Sequence, residues 1–139
     1  MFNDLSSPLA YLASRRSGKA REMVGPGPGA EELEQLIALA ARTPDHGKLA
    51  PWRFVIVSQK RRGDLSALLR RALDENNPDA TDAHRHKADE FARSGEALVV
   101  LLSSPVHGHK VPVWEQELSA GAVGMNLLHA AHAHGYVGS

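Results

Sequence analysis

Apolar residues recur at helical spacing in several stretches of this chain and are concentrated in two short runs. The helical spacing predicts helices over residues 8 to about 14, from 30 to just before Pro44, over 60–73 and over about 112–134. The first apolar run, residues 52–58, is rich in β-branched and aromatic side chains and predicts a strand. The second run, 97–102, does not alternate, as expected for a strand covered on both faces. Residues 82–93 have few apolar anchors and are expected to form a weak helix or an exposed flap.

The helix expected over residues 112–134 carries a stripe that predicts its packing face. The stripe consists of Leu118, Ala122, Met125 and His129. Gly121 and Gly124 would allow a neighbouring element to approach closely. We therefore expect a largely buried helix, which is also a candidate for a subunit contact.

Length and charge narrow the classes of protein to which the chain can belong. The 139 residues are expected to form a single domain, residues 1–139. Sixteen Lys and Arg balance sixteen Asp and Glu, so no overall field favours nucleic acid or a membrane surface. The lack of cysteine excludes disulfides and thiolate chemistry. The N-terminal sequence shows no secretory pattern, so a cytoplasmic location is expected. Two strands among so much helix predict a domain that is incomplete at its C-terminus.

The connector between the second helix and the first strand, residues 41–52, combines stiffness with positive charge. Pro44 and Pro51 fix the backbone, and Pro51 is expected to hold the preceding Ala50 in extended geometry. The connector carries Arg42, His46 and Lys48, which suits it to an anionic ligand. Arg42 alone has a simpler interpretation, as a cation at the C-terminal end of a helix dipole.

A second basic turn, Arg15-Arg16-Ser17, follows the first helix. Guanidinium groups pair well with phosphate oxygens, so this turn is a candidate phosphate site. From spacing alone, a solvated basic turn is the favoured interpretation. The glycine-rich residues 25–29 match neither the dinucleotide nor the P-loop pattern and are expected to be a connector.

The order of these motifs is similar to that of a known family. The chain has Arg15-Arg16-Ser17, then residues 42–46 (Arg-Thr-Pro-Asp-His), then Pro51-Trp52, and later residues 114–117 (Trp-Glu-Gln-Glu). In this order the motifs resemble the flavin-dependent nitroreductase family, in particular its small bacterial NAD(P)H nitroreductases, over residues 11–135. The resemblance implies an α+β fold with a mixed sheet wrapped by helices. It also implies an intertwined homodimer with two FMN sites at the subunit interface.

The resemblance also implies roles for individual residues. Arg15, Arg16 and Ser17 of one subunit would hold the flavin phosphate and ribityl chain, while Arg42 and His46 would approach the flavin of the shared site. Residues 29–32 and 130–135 are expected contacts of NAD(P)H, the co-substrate. Hydride would pass through the flavin to a small-molecule acceptor such as a nitroaromatic or a quinone. No side chain is expected to be catalytic, because the cofactor carries this chemistry.

Two hypotheses from other classes remain open, a histidine-rich metal-binding protein and a noncatalytic helical interaction module. Seven of the eight histidines form small clusters at residues 84–86, 107–109 and 129–134. Histidine is a common zinc ligand, but their spacing lacks the His-Glu-x-x-His arrangement and no cysteine assists. No metal ligands are therefore assigned. Trp52 is expected to anchor the core or an interface, where aromatic side chains supply buried area.

Overall fold

A computed structural model describes residues 2–139 as helices around a pair of strands. The helices and strands are α1 (Pro8–Ser14), α2 (Ala30–Ala40), β1 (Trp52–Ile56), α3 (Arg62–Asn76), α4 (Asp82–Arg93), β2 (Val99–Ser103) and α5 (Val113–Ala133). Two short 3-10 turns, Ala20–Glu22 and Gln59–Arg61, complete the regular structure of the described residues. The predicted order of helices and strands is confirmed.

The first two helices begin and end where local chemistry requires. Ser7 caps α1 by accepting a hydrogen bond from the Ala10 N–H through its hydroxyl, at 3.1 Å. Pro8 occupies the first turn of α1, where its missing N–H costs nothing. In α2 the acidic side chains of Glu31 and Glu32 lie in the first turn, at the favourable end of the dipole. The helix ends at Ala40, four residues before Pro44.

Of the two alternatives predicted for residues 82–93, the helix is confirmed and the flap is not, because α4 is a regular helix with a cap at its start. The Thr81 hydroxyl accepts from the His84 N–H, and His84 Nδ1 accepts in return from the Thr81 N–H. Arg85 then pairs with Asp74 at 2.9 Å and with Asp82 at 3.0 Å. Polar contacts at its N-terminus and along its surface therefore supplement the few apolar anchors of this helix.

The strands form an antiparallel pair with Trp52 opposite Ser103 and Ile56 opposite Val99. Helix α5 covers one face, where Trp52 packs in a core cluster with Ala40, Ala120 and Val123. Trp52 is therefore a core anchor, as expected. The prediction that the second strand is covered on both faces is wrong, since Leu102 is 46% exposed. The α+β class is confirmed, and the sheet of residues 2–139 contains this one antiparallel pairing.

The packing face predicted for α5 is also wrong. Leu118 of the expected stripe is 65% exposed, while Ala120, Val123 and Ala130 face the core. The helix is mostly small and apolar all round, so several stripes fit its sequence equally well. Gly124 does allow close packing, because a methyl carbon placed there would lie 2.9 Å from Leu101 Cδ2. Gly121 has no such neighbour and is exposed.

Helices α2 and α5 run antiparallel, which determines where the loops at their ends lie. Leu33 and Leu36 near the start of α2 pack with Ala130 near the end of α5. Ala40 at the end of α2 packs with Ala120, in the first half of α5. The connector after α2 therefore lies beside the start of α5. Within residues 2–139, no helix has the length and apolar character needed to cross a membrane.

Candidate functional site

The Arg15–Ser17 segment follows the end of α1, and hydrogen bonds to other residues of the same chain fix its backbone. The Arg16 N–H donates to Asn3 Oδ1 at 2.8 Å, and Asn3 Nδ2 donates to the Arg16 carbonyl at 3.1 Å. Directly after the segment, the Gly18 N–H donates to the Gly138 carbonyl at 3.0 Å. These contacts hold both ends of the segment, while the side chains of Arg16 and Ser17 stay exposed.

The arginines of this segment have no acidic partner within residues 2–139. The Arg16 guanidinium lies over the Phe2 ring, 5.3 Å from its centroid, which is a cation–π contact. Arg15 is half-buried near Tyr11, where its charge partly offsets the effect of burial on the tyrosine pKa. Neither guanidinium forms an ion pair there, so both can bind an anionic ligand.

The connector after α2 is anchored at its start by Thr43. The buried Thr43 hydroxyl donates to the Ala40 carbonyl at 2.8 Å and accepts from Asn126 Nδ2 at 2.6 Å. Because Asn126 belongs to α5, this bond ties the connector to that helix. Arg42, one residue earlier, is exposed, and the ion pairs of residues 2–139 do not include it.

The middle of the connector is held by Asp45 in an unusual backbone conformation. The Asp45 carboxylate accepts from the Leu49 N–H at 2.7 Å and from the Ala50 N–H at 3.2 Å. Lys48 and Ala50 have φ of 54° and 46°, and Gly47 has φ of 83°. The expectation that Pro51 holds Ala50 in extended geometry is therefore wrong, because the carboxylate bonds favour this tighter turn. Strained residues of this kind cluster at ligand-binding loops.

His46 contacts the first turn of α5 rather than pointing freely into solvent. Its Nδ1 lies 2.7 Å from Glu115 Oε1, although the side chain of His46 is 63% exposed. Sequence reasoning noted Glu115 as part of the motif at residues 114–117 and missed this contact with His46. The carboxylate orients the imidazole, and the other ring nitrogen is left for a ligand.

The two basic segments do not meet within one chain. His46 contacts Glu115 near the start of α5, whereas Arg15 lies close enough to His132, near its end, to influence that ring. Helix α5 has 21 residues, so at 1.5 Å per residue its ends are roughly 30 Å apart. Within one chain, His46 and Arg15 therefore lie near opposite ends of α5.

A third polar cluster joins the segments that were expected to contact NAD(P)H. The Tyr136 hydroxyl donates to Glu32 Oε2 at 2.5 Å, and His134 Nδ1 lies 3.5 Å from Glu32 Oε1. The hydrogen bond from Tyr136 is the main reason why the pKa of Glu32 lies below its ordinary value, and the His134 contact adds to it. The two segments are thus neighbours, and their role in dinucleotide binding stays a prediction.

Most of the histidines have structural partners. His84 caps α4, His86 lies 3.5 Å from Glu90, and His109 Nδ1 accepts from the Val111 N–H at 3.1 Å. Within the described part of the chain, no group of three or more His, Cys, Asp or Glu side chains is arranged to hold a metal ion. The hypothesis of a metal-binding protein therefore has no site to support it there.

Comparison with known proteins identifies the class to which this fold and these basic segments belong. The sequence model described as "Nitroreductase family" matches residues 12–138. The chain belongs to this family, and it is therefore an oxidoreductase.

Two relatives show how far the similarity extends. A protein of Haemophilus influenzae named "Putative NAD(P)H nitroreductase" is 35% identical over 130 residues, which cover 92% of this chain and 68% of that protein. "Putative NAD(P)H nitroreductase YdjA" of Escherichia coli (strain K12) is 32% identical over 130 residues, covering 94% of this chain and 69% of that protein.

Proposed function

We propose that this chain is an FMN-dependent oxidoreductase that passes hydride from NAD(P)H to a small-molecule acceptor such as a nitroaromatic or a quinone. Membership of the family supports the reaction class, and the names of both relatives support NAD(P)H as the donor. A cytoplasmic location is part of the same proposal.

The observation that supports FMN most directly is a set of cations without acidic partners. Arg15, Arg16 and Arg42 form no ion pair within residues 2–139, although the whole chain has equal numbers of acidic and basic residues. A phosphate bound by the guanidinium forks would supply the anionic partner that these arginines lack. The chemistry of this donor set therefore fits the phosphate of FMN.

The residues of this chain would bind and orient the cofactor rather than react themselves. When bound, FMN would supply the acceptance and release of hydride. Arg15, Arg16 and Ser17 would hold the phosphate and ribityl chain, on a backbone already fixed by Asn3. His46, whose Nδ1–H donates to the Glu115 carboxylate, would present Nε2 of its neutral ring to the flavin as a hydrogen-bond acceptor.

We propose further that the site is divided between two copies of the chain. The two basic segments lie near opposite ends of α5, so they can share one flavin only across a subunit interface. In a homodimer with twofold symmetry, each of two sites would combine the Arg15–Ser17 segment of one subunit with Arg42 and His46 of its partner.

Subunit mixing tests the cofactor and the divided site together. In Arg16→Ala and Arg42→Ala proteins, both sites of each homodimer lack one guanidinium, so we expect FMN affinity to fall about tenfold or more in each. A mixed dimer of the two variants would contain one site with both defects and one intact site. We therefore expect mixing after mild unfolding to restore high-affinity FMN binding in about half of the sites of each mixed dimer.

The outcomes separate the two parts of the proposal. If the parent protein binds no FMN and oxidises no NAD(P)H with a quinone or nitroaromatic acceptor, the assigned function is wrong. If the parent binds FMN but mixing restores nothing, each site lies within one chain and the division is wrong. The Arg61→Ala variant is a matched control, because Arg61 is exposed and pairs with its neighbour Asp64, so FMN affinity should be unchanged.

A further inference from the structure

A cluster of Tyr11, His129 and His132 joins α1 to the end of α5, and the proposed chemistry does not use it. The Tyr11 hydroxyl oxygen lies 2.6 Å from His132 Nδ1 and 2.9 Å from His129 Nδ1. The tyrosine ring meets both imidazoles edge-on. His132 is 2% exposed, so water cannot easily replace these partners.

The third contact of this cluster determines where its protons lie. The Gly138 N–H points at His132 Nε2 across 3.3 Å, and a backbone amide can only donate. The neutral ring of His132 must therefore accept at Nε2 and carry its own proton on Nδ1. That proton is donated to the Tyr11 oxygen, which leaves the Tyr11 hydroxyl to donate to His129 Nδ1.

This chain of hydrogen bonds continues to the candidate cofactor segment. Gly138, which donates to His132, also accepts from the Gly18 N–H at 3.0 Å. The Gly18 backbone packs so closely on the Val137 side chain that any larger residue at position 18 would collide with it. Gly18 directly follows the Arg15–Ser17 segment, so two hydrogen bonds that share Gly138 connect the His132 side chain to that segment.

We propose that His132 is a positioning residue whose neutral ring holds Gly138 against Gly18, so that protonation of the ring loosens the Arg15–Ser17 segment and weakens FMN binding. The link to FMN rests on the function proposed above. A protonated ring has an N–H at Nε2, where the Gly138 N–H already donates, so two donors would face each other. The contact that fixes residue 138 would then be lost.

The surroundings of the ring favour its neutral form. The charged and titratable groups facing it are Arg15 at the end of α1, Tyr11 on α1 and His129 on α5 itself. Burial, then Arg15 and then His129 lower the pKa of His132 below its ordinary value of 6.5. A lowered histidine pKa means that the contact is complete above about pH 6.5 and is lost as the pH falls through the pKa of the folded protein.

The experiment compares the parent chain with His132→Gln, whose amide oxygen can still accept from Gly138 but cannot titrate. His86→Gln is the matched control, because it removes an exposed histidine from α4. Two quantities are followed in all three proteins from pH 8 to the pH at which NMR shows the His132 ring of the folded parent to be protonated. They are the hydrogen-exchange protection factor of the Gly18 amide without flavin, measured by NMR, and the dissociation constant of FMN.

In the parent chain and in His86→Gln, we expect acidification to lower Gly18 protection and to weaken FMN binding about three- to tenfold, the effect of one hydrogen bond. In His132→Gln, the Gly18 protection factor should stay constant. Any remaining pH dependence of FMN binding in that variant then belongs to other groups, such as His46 or the phosphate. An equal pH dependence in all three proteins, or none in any, would overturn the proposal.

Tyr11→Phe provides a second test should His132→Gln fail to fold. Without the hydroxyl, the Nδ1 proton of His132 has no acceptor, so Gly18 protection should fall at pH 8; unchanged protection would contradict the role of His132. The exchange measurement needs no cofactor. A chain that shows the expected exchange but binds no FMN at any pH would refute the assigned cofactor and leave the positioning role of His132 intact.

Discussion

Arg62 is the charged side chain on which the packing of α3 depends most. It is 3% exposed, and its guanidinium donates only to backbone carbonyls. The acceptors are Val57 at 3.1 Å, Ala92 and Ser94 at 3.0 Å, and Gly95 and Glu96 at 3.4 Å. One side chain thus joins the end of β1, the end of α4 and the approach to β2. Burial lowers the pKa of Arg62, and Glu96 partly offsets this effect.

Replacing Arg62 by methionine keeps a long apolar stem but removes all of these bonds. The three bonds of 3.0–3.1 Å should each contribute about 1 kcal/mol net, because similar bonds to water replace them on unfolding. The buried carbonyl of Ala92 would then lack a partner, which adds about 1 kcal/mol or more. We therefore expect the free energy of unfolding to fall by about 4 kcal/mol, a large part of the stability of an ordinary domain.

Urea unfolding followed by circular dichroism measures this change. Arg61→Met is the control, because the Arg61 side chain is 73% exposed and its pair with Asp64 lies at the surface, so its loss should cost less than about 1 kcal/mol. Arg62→Lys should lie between the two variants, since an ammonium group cannot reach all five carbonyls. An Arg62→Met protein within about 0.5 kcal/mol of the parent would refute the role assigned to these bonds.

Two further predictions concern the close packing of α5 and the hydrogen bond between Tyr136 and Glu32 near its end. Gly124→Ala should lower the free energy of unfolding by about 1 kcal/mol, because the new methyl group displaces Leu101. Gly121→Ala, on the open side of the same helix, should raise the free energy of unfolding by about 0.5–1 kcal/mol through helix propensity. If urea unfolding shows the same change for both variants, this account of the packing is contradicted. Tyr136→Phe should raise the pKa of Glu32 toward its ordinary value, because the largest cause of its depression is removed. An NMR titration in which Glu32 is unchanged would contradict that assignment, and Tyr11→Phe is the control that should leave Glu32 alone.

Local features of the sequence were enough to predict most helices and strands. Helix α2 follows from the spacing of Leu33 and Leu36 and from a proline beyond its end, all within one short stretch. Helix α4 could not be separated from an exposed flap, because its cap uses His84 in the position where a glutamate or glutamine usually serves. The face of α5 could not be predicted, because an almost uniformly apolar helix takes its orientation from its neighbours.

The candidate site could be predicted only as separate pieces. Each basic segment can be recognised from the sequence because its cationic residues lie within a few positions of one another. The contact of His46 with Glu115 joins residues 69 positions apart, and that of Tyr11 with His132 joins residues 121 apart. Such pairs follow from the tertiary arrangement of α1, α2 and α5. The carboxylate of Asp45 had a local indication, since aspartate after proline and shortly before glycine is typical of a tight turn.

Helix α5 also acts as a fixed spacer between the parts of the molecule that contact its two ends. Inserting one helical turn of three or four residues would move those ends apart by about 5 Å and would alter the geometry of the proposed site, which depends on both. An insertion of the same size between β2 and α5 would leave this spacing intact. Natural variation in length should therefore be tolerated in that surface loop and rejected within the helix.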